Sequence, residues 1–164
     1  MTRKATKKLT APSERTRKPR RRRGVPEPSS AEAKRRMEAQ QRRDTAPEIA
    51  IRSAVHRRGL RFWVDRSPLP KLRRRADLVF PRAKVAVYVD GCFWHGCPAH
   101  GTWPKANAEW WRSKIHANQL RDEDTHSRLK NSGWIPIRIW EHEDPEKAAE
   151  RVVEIVLRRR GVTR

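Results

Sequence analysis

The sequence predicts an α/β fold, a mixed sheet with helices on its faces. Three observations predict it. Apolar, strand-like runs stand at 76–80, 84–89 and 134–140. Helical patterns with their own start and stop signals lie before, between and after them. The order is helix, strands, long helix, strand, helix, which suits a sheet covered by helices better than a bundle or a sandwich.

The elements follow in chain order. Residues 1–28 are rich in Lys, Arg, Thr and Pro, include the run Arg20-Arg-Arg-Arg23, and hold almost nothing apolar. Such a segment buries too little surface to offset its ordering entropy, so it reads as a disordered basic arm. Residues 29–43 read as a short polar helix capped by Ser30. A clearer helix starts with Thr45 as N-cap, Pro47 in the first turn and Glu48 three residues after the cap. It continues through Ile49, Ile51, Ala54 and Val55 and stops at Arg57-Arg58-Gly59.

Residues 60–64 are a short strand. The loop 65–75 carries Lys71, Arg73, Arg74 and Arg75, cations placed for phosphate contact. Strand 76–80 opens with an acid, Asp77. After the turn Pro81-Arg82-Ala83 the chain returns as the almost wholly apolar strand 84–89, which predicts a central position. Asp77 and Asp90 then lie near one end of two neighbouring strands. A long helix over 107–130 carries Trp110, Trp111, Ile115, Leu120 and Leu129, and Asn131-Ser-Gly133 ends it. In strand 134–140, Pro136 points to a sheet edge. Residues 145–160 form a final amphipathic helix. Trp63, Trp134 and Trp140 read as core.

Composition bounds the partners. The chain has 164 residues and a formal charge of +21, from 40 Lys+Arg against 19 Asp+Glu. Residues 44–164 alone hold 24 Lys+Arg against 15 Asp+Glu, so the basic character is not confined to the arm. A polyanion, DNA or RNA, is the expected partner. No long apolar run exists to enter a membrane and no apolar signal-peptide core is visible, which places the protein in the cytoplasm, on or near nucleic acid. The two cysteines are too few for a disulfide framework and suit a reducing compartment as metal ligands.

The chemistry concentrates in 85–100, Val-Ala-Val-Tyr-Val-Asp-Gly-Cys-Phe-Trp-His-Gly-Cys-Pro-Ala-His. Cys92, Cys97 and His100 offer three donors suited to tetrahedral Zn²⁺, one short of a closed site. His142 and His95 are the candidates for the fourth. Asp77 and Asp90 can hold Mg²⁺, which takes oxygen ligands, and the imidazole of His95 can take a proton from water. Metal and base beside a basic surface spell phosphodiester hydrolysis. The bland alternative makes Asp90 a turn cap and pairs Asp77 with Arg75. There are 7 Trp against 1 Tyr. Phe93 and Trp94 fall in a turn, where wedges that stack on or insert between bases are at home.

On these residues the chain resembles the very-short-patch mismatch-repair endonucleases, a branch of the restriction-endonuclease-like superfamily. The resemblance runs from about Arg36 to Leu157. It rests on Arg-Asp-Thr-Ala-Pro-Glu48, Ala-Asp77-Leu-Val-Phe, Asp-Gly-Cys-Phe-Trp-His95, Glu109-Trp-Trp111 with Lys114, Asn118 to Asp122, and Gly133-Trp followed by Ile-Trp-Glu141. It implies a restriction-endonuclease-like mixed sheet flanked by helices, with a structural zinc, over an endonuclease domain at 44–164.

It also implies roles. Asp77 would bind Mg²⁺ together with the Val89 carbonyl. His95 would be the general base, and Glu48 an acid at the edge of the site. Cys92 would be a zinc ligand. Phe93, Trp94 and Trp111 would wedge into DNA, and Lys71, Arg73, Arg74, Arg75 and Lys114 would face phosphates. Asp90 stands where relatives carry an active-site His, and would take over metal binding at the Mg²⁺ site or hydrogen bonding. Cys97 and His100 would be zinc ligands with their residue types exchanged. His142 replaces a Cys and closes the zinc set, leaving His95 for catalysis.

The implied activity is Mg²⁺-dependent nicking of one DNA strand 5′ to the thymine of a T·G mismatch. The implied partner is mismatched double-stranded DNA, met as a monomer on the nucleoid, with downstream repair proteins to follow. Two alternatives stand beside it: a nuclease of the same fold serving a restriction–modification or DNA-defence system, and a zinc-stabilised DNA-binding protein without catalysis.

Overall fold

A computed structural model of the protein describes residues 24–40 and 43–161. The arm expected over 1–28 lies outside the described residues up to residue 23. Residues 24–28 are described, and they lie against the start of the long helix. There the Trp110 indole N–H donates to the Gly24 carbonyl (2.7 Å) and the Asn107 amide to the Glu27 carbonyl (3.0 Å).

Helix α1 (Ala31–Ala39) is capped as expected, the Ser30 hydroxyl accepting from the Ala33 N–H at 3.0 Å. It buries no residue, in keeping with its polar sequence. Helix α2 (Ala46–Arg57) starts at Thr45 with Pro47 in its first turn. The reciprocal cap is not formed, because the acid reaches the residue before the N-cap. Glu48 accepts from the Asp44 N–H (3.0 Å) and from the Thr45 hydroxyl (2.9 Å), so that hydroxyl does not cap a backbone N–H.

Four strands form one sheet in the order β1 (Trp63–Arg66), β2 (Ala76–Phe80), β3 (Val85–Asp90), β4 (Ile135–Trp140). The first two pairings are antiparallel and β3–β4 is parallel, so the sheet is mixed. Between β2 and β3 a 3-10 turn (Pro81–Ala83) hands over to Lys84 in the left-handed region. Strand β3 is interior, with Val85, Ala86 and Val87 fully buried, as its apolar run predicts. Strand β4 lies at an edge, which accommodates the missing N–H of Pro136.

Helix α3 (Ala108–Asn131) is the crossover between the parallel strands, and helix α4 (Pro145–Arg159) follows β4. The Asp144 carboxylate caps α4 by accepting from the N–H groups of Glu146 and Lys147. Helices α2 and α4 cover one face of the sheet. Ile51, Val55, Val152 and Val156 pack there on Leu78, Phe80, Val85, Val87 and Ile139. The other face carries a smaller cluster in which Leu129 of α3 meets Ala76, Val79 and Ala86.

Three tryptophans depart from the core positions expected of them. Strand β1 begins later than the predicted 60–64, and Trp63 is 58% exposed on this edge strand. Strand alternation sends its neighbour inward instead: Phe62 packs edge-on against Phe80 with ring centroids 5.6 Å apart. Trp134 is half-buried over the smaller cluster. Trp140, also half-buried, lies parallel to the His142 ring at the sheet edge. Among the described residues, no helix is long and apolar enough to cross a membrane.

The pairing sets the place of the chemistry. Asp90 lies opposite Trp140 at the C-terminal ends of β3 and β4. Strand β2 runs the other way, so its second residue, Asp77, arrives at the same end.

Candidate active site

Asp77 is half-buried, and one of its oxygens accepts the Val89 N–H at 2.7 Å. Burial drives its carboxyl up to about 6; the Val89 N–H and the Arg52 guanidinium oppose the rise, while Glu48 and Asp90 add to it. Negative charge is therefore undercompensated here, and a carboxylate oxygen remains to meet a cation. Glu48 stands beside it, buried, with its own oxygens taken by Arg52, Asp44 and Thr45.

Asp90 has a different environment from the one expected of a metal ligand. It is 3% exposed, and both its oxygens accept from Arg138, one from Nε and one from Nη2. Both oxygens are engaged by one guanidinium, which compensates the carboxylate without a metal. The anticipated Asp77–Arg75 pair does not form either; Arg75 holds Asp65.

His95 sits in the loop beyond β3, its Nδ1 2.6 Å from an Asp122 carboxylate oxygen on α3. A carboxylate only accepts, so the proton lies on Nδ1 and Nε2 is left to take one. Asp122 is held below the usual carboxylate range by the His95 hydrogen bond and the Arg138 guanidinium, against the desolvation that would raise it. The loop backbone is pinned to the same helix. Asn118 donates to the Trp94 carbonyl (2.9 Å) and Gln119 to the His95 carbonyl (3.3 Å). Gly96, at φ +64, permits this approach: a Cβ there would lie 2.6 Å from Gln119 Nε2 and 3.0 Å from Ile115.

Cys92, Cys97, His100 and His142 form a second group. One ligand atom from each lies within 4.8 Å of all the others, and both thiols are buried. His142 Nδ1 is 3.0 Å from the Cys92 sulfur and 3.8 Å from that of Cys97. Burial and the neighbouring Cys97 push the Cys92 thiol up. Cys97 is drawn down by the N–H groups of His100 and Ala99, against its burial. Two sulfurs and two imidazoles converging in this way fit a tetrahedral soft-ligand cation. Of the two candidates for the fourth position, His142 is in the group and His95 is outside it.

The expected wedge is gathered too. Phe93, Trp94 and Trp111 meet edge to face, with centroids 5.1 to 5.8 Å apart, and Trp110 joins them at 4.7 Å. Trp111, at 9% exposure, supports the set from below; Phe93 and Trp94 are the more exposed members. Together with residues of the 25–40 segment they line a cavity of about 490 Å³. Of the phosphate candidates, Lys71, Arg73 and Lys114 are exposed without an ion pair among the described residues, whereas Arg74 holds Asp124 and Arg75 holds Asp65.

Sequence reasoning missed Asp122 and Arg138 as members of the site. Asn118 and Asp122, four apart on one helix face, were a signal available for the first. A lone arginine inside the apolar run 135–140 was the signal for the second.

Comparison with known proteins gives the family. A family model described as the DNA mismatch endonuclease Vsr matches residues 29–100. The type II nicking enzyme V.NaeI of Lentzea aerocolonigenes is 41% identical over 133 residues, 79% of this chain and 79% of that protein. The type II nicking enzyme V.XorIIP of Xanthomonas oryzae is 38% identical over 102 residues, 62% of this chain and 73% of that one. The DNA mismatch endonuclease Vsr of Escherichia coli is 36% identical over 101 residues, 60% of this chain and 62% of that one. The chain therefore belongs to the Vsr family and is a hydrolytic DNA endonuclease.

Proposed function

We propose that the protein is a Mg²⁺-dependent endonuclease of the restriction-endonuclease-like fold that nicks one strand of double-stranded DNA 5′ to the thymine of a T·G mismatch. The observation that carries this reading is the His95–Asp122 pair at 2.6 Å, set at the same sheet end as the undercompensated Asp77.

Asp77 and the Val89 carbonyl would hold Mg²⁺, with Glu48 beside them. When bound, Mg²⁺ supplies charge neutralisation at the scissile phosphate. Asp122 keeps the proton of His95 on Nδ1, and Nε2 takes a proton from the attacking water. Phe93 and Trp94, backed by Trp111, press between base pairs, at least cost where pairing is already faulty. Mispair choice then comes in part from deformability.

Cys92, Cys97, His100 and His142 would hold a structural Zn²⁺, stiffening the turn that carries those aromatics. Lys71, Arg73 and Lys114 face the phosphates. The enzyme acts as a monomer in the cytoplasm, on DNA that later repair proteins complete, and the basic arm 1–28 adds nonspecific phosphate affinity.

The test is an oligonucleotide duplex with one T·G pair, with Mg²⁺ and with EDTA. One nick 5′ to the T, only with Mg²⁺, and its loss in Asp77→Ala and His95→Ala are expected. Undiminished nicking by both variants would remove the assignment.

A second reading keeps the chemistry and changes the substrate. It is favoured by relatives such as V.NaeI and V.XorIIP, which are named type II nicking enzymes and not mismatch endonucleases. A panel of matched, mismatched and methylated duplexes separates the two: cleavage of a matched duplex at a defined sequence would favour the second.

A further inference from the structure

Arg138 belongs neither to the metal sites nor to the wedge, yet it sits at the centre of the polar network around His95. It is the one charged residue of β4. Its side chain is 27% exposed, and its guanidinium carbon lies 5.6 Å from the centroid of the Tyr88 ring. Nε and Nη2 grip both oxygens of Asp90, and Nη2 also reaches Asp122 at 3.0 Å. Both acids crowd the same imidazole nitrogen: His95 Nδ1 is 2.6 Å from Asp122 and 3.7 Å from Asp90.

Two carboxylates and one N–H make a competition. An imidazole turned toward Asp90 instead of Asp122 would carry Nε2 to a different place. The bidentate grip weakens one competitor, because an Asp90 held by two guanidinium N–H groups has its charge compensated and stays 3.7 Å from the ring nitrogen, whereas Asp122 meets Arg138 through a single contact and lies at 2.6 Å. It also compensates a carboxylate that is nearly without water, which would otherwise seek the nearest donor. His95 Nδ1, 3.7 Å away, is such a donor.

We propose that Arg138 is a positioning residue: by occupying Asp90 it decides that the Nδ1–H of His95 donates to Asp122, and so fixes the direction of Nε2. This rests on the reading of His95 as the base. It also gives the Asp90–Arg138 pair a joint role, since either partner alone is harmful and the loss of both is tolerated.

The experiment uses the full chain and three variants, Arg138→Met, Arg138→Lys and Asp90→Leu/Arg138→Met, with Mg²⁺ and a T·G duplex well below each melting temperature. Rates are taken per folded molecule. Arg138→Met should lower kcat about tenfold to a hundredfold at little changed KM, the scale of a displaced catalytic group. Arg138→Lys keeps the charge but loses the planar fork, and should recover only part of the rate. The double variant, with no competing acceptor, should return to within about threefold of the parent, because a paired acid and base can be replaced together by apolar groups.

A side-chain nitrogen and NOE NMR measurement on His95 reads the same idea without turnover. The parent ring should show contacts to α3 that Arg138→Met loses and the double variant regains. An unchanged kcat and an unchanged ring in Arg138→Met would overturn the proposal, leaving Arg138 a stability residue. A double variant as slow as the single would also overturn it. If His95→Ala nicks normally, the reading of the base has failed. The NMR contacts then still decide whether Arg138 sets the ring.

Discussion

The turn after β3 carries two sites side by side, and they are held by different means. Around His95 the protein supplies the partners: Asp122 accepts from the ring N–H, Arg138 ties Asp122 to Asp90, and Asn118 and Gln119 hold the loop backbone. Around Cys92 and Cys97 the backbone is tied, the Cys97 N–H donating to the Cys92 carbonyl (2.9 Å) and the Gly101 N–H to the Cys97 carbonyl (2.8 Å), but the four donor side chains face chiefly one another. Two buried thiols face His142, His100 is exposed, and the firmest bond is the Cys92 N–H to the Glu141 carboxylate, 2.7 Å. The first half is held by side-chain hydrogen bonds, and the second gathers four donor side chains that an ion would join. Metal loss should therefore loosen the thiol half and leave the geometry of His95 largely in place.

The largest expected effect tests that division directly. Stripping Zn²⁺ with a strong chelator, or Cys97→Ala, should lower stability by about 3–5 kcal/mol, well below the ~10–16 kcal/mol of zinc-finger peptides, because this domain has a core of its own. Calorimetry should show a melting temperature about 10 °C lower. Freshly purified protein should carry about one zinc per chain, a ratio that closes the four-ligand set. Metal-free protein with an unchanged melting temperature would erase the contrast.

Next comes the reciprocal pair of imidazoles. His95→Ala should lower kcat about 10²- to 10⁴-fold, the usual worth of a general base, with the melting temperature nearly unmoved. His142→Ala should do the reverse: a clear drop in melting temperature and a small change in kcat per folded molecule. Equal losses on both measures for both variants would mean the halves act as one unit.

Asp77 sharpens the comparison through pH. Its carboxyl is raised to about 6 from 3.8. Between those values the folded chain keeps a proton that the unfolded chain has lost. Metal-free stability is then highest below the lower value, falls as pH rises through the window, and stays low above it. The shift corresponds to roughly 3 kcal/mol at most. Asp77→Asn should thus be more stable than the parent by about 1–3 kcal/mol near neutral pH in EDTA, and no more stable near pH 4. Urea titrations at the two pH values measure this. Mg²⁺ should narrow the gap at neutral pH by stabilising only the parent.

These contrasts divide what the sequence made legible from what it did not. Strands 76–80 and 84–89 and the helix from residue 145 were readable, because apolar period and cap residues are local. So was the thiol cluster: three of its members lie within 92–100, and the fourth follows the end of the adjacent strand. Asp122 and Arg138 were not, because each becomes part of the site only once the parallel β3–β4 pairing and the crossover helix bring it there. The environment of Asp90 was hidden for the same reason. Its partner is 48 residues away, and nothing in Asp-Gly tells a metal ligand from one half of an ion pair. Trp63 misled because a short edge strand gives no period by which to choose between it and Phe62.

The smallest effect concerns the basic loop, where the two means of holding a side chain meet again. Arg74 and Arg75 are spoken for by Asp124 and Asp65, whereas Lys71 and Arg73 make no ion pair among the described residues. A cation already neutralised by a carboxylate releases few counterions on meeting a phosphate, and a free one releases its full share. Lys71→Ala and Arg73→Ala should each flatten the slope of log K against log salt by about 0.9, with an affinity loss that fades as salt rises. Arg75→Ala should leave the slope nearly unchanged, because its guanidinium serves the fold of the loop against β1. Binding titrations on one duplex over a range of salt concentrations separate the cases. A slope change for Arg75 equal to that for Arg73 would mean that DNA pulls the guanidinium off Asp65, so that the loop is rebuilt on the phosphate backbone and is not presented ready-made.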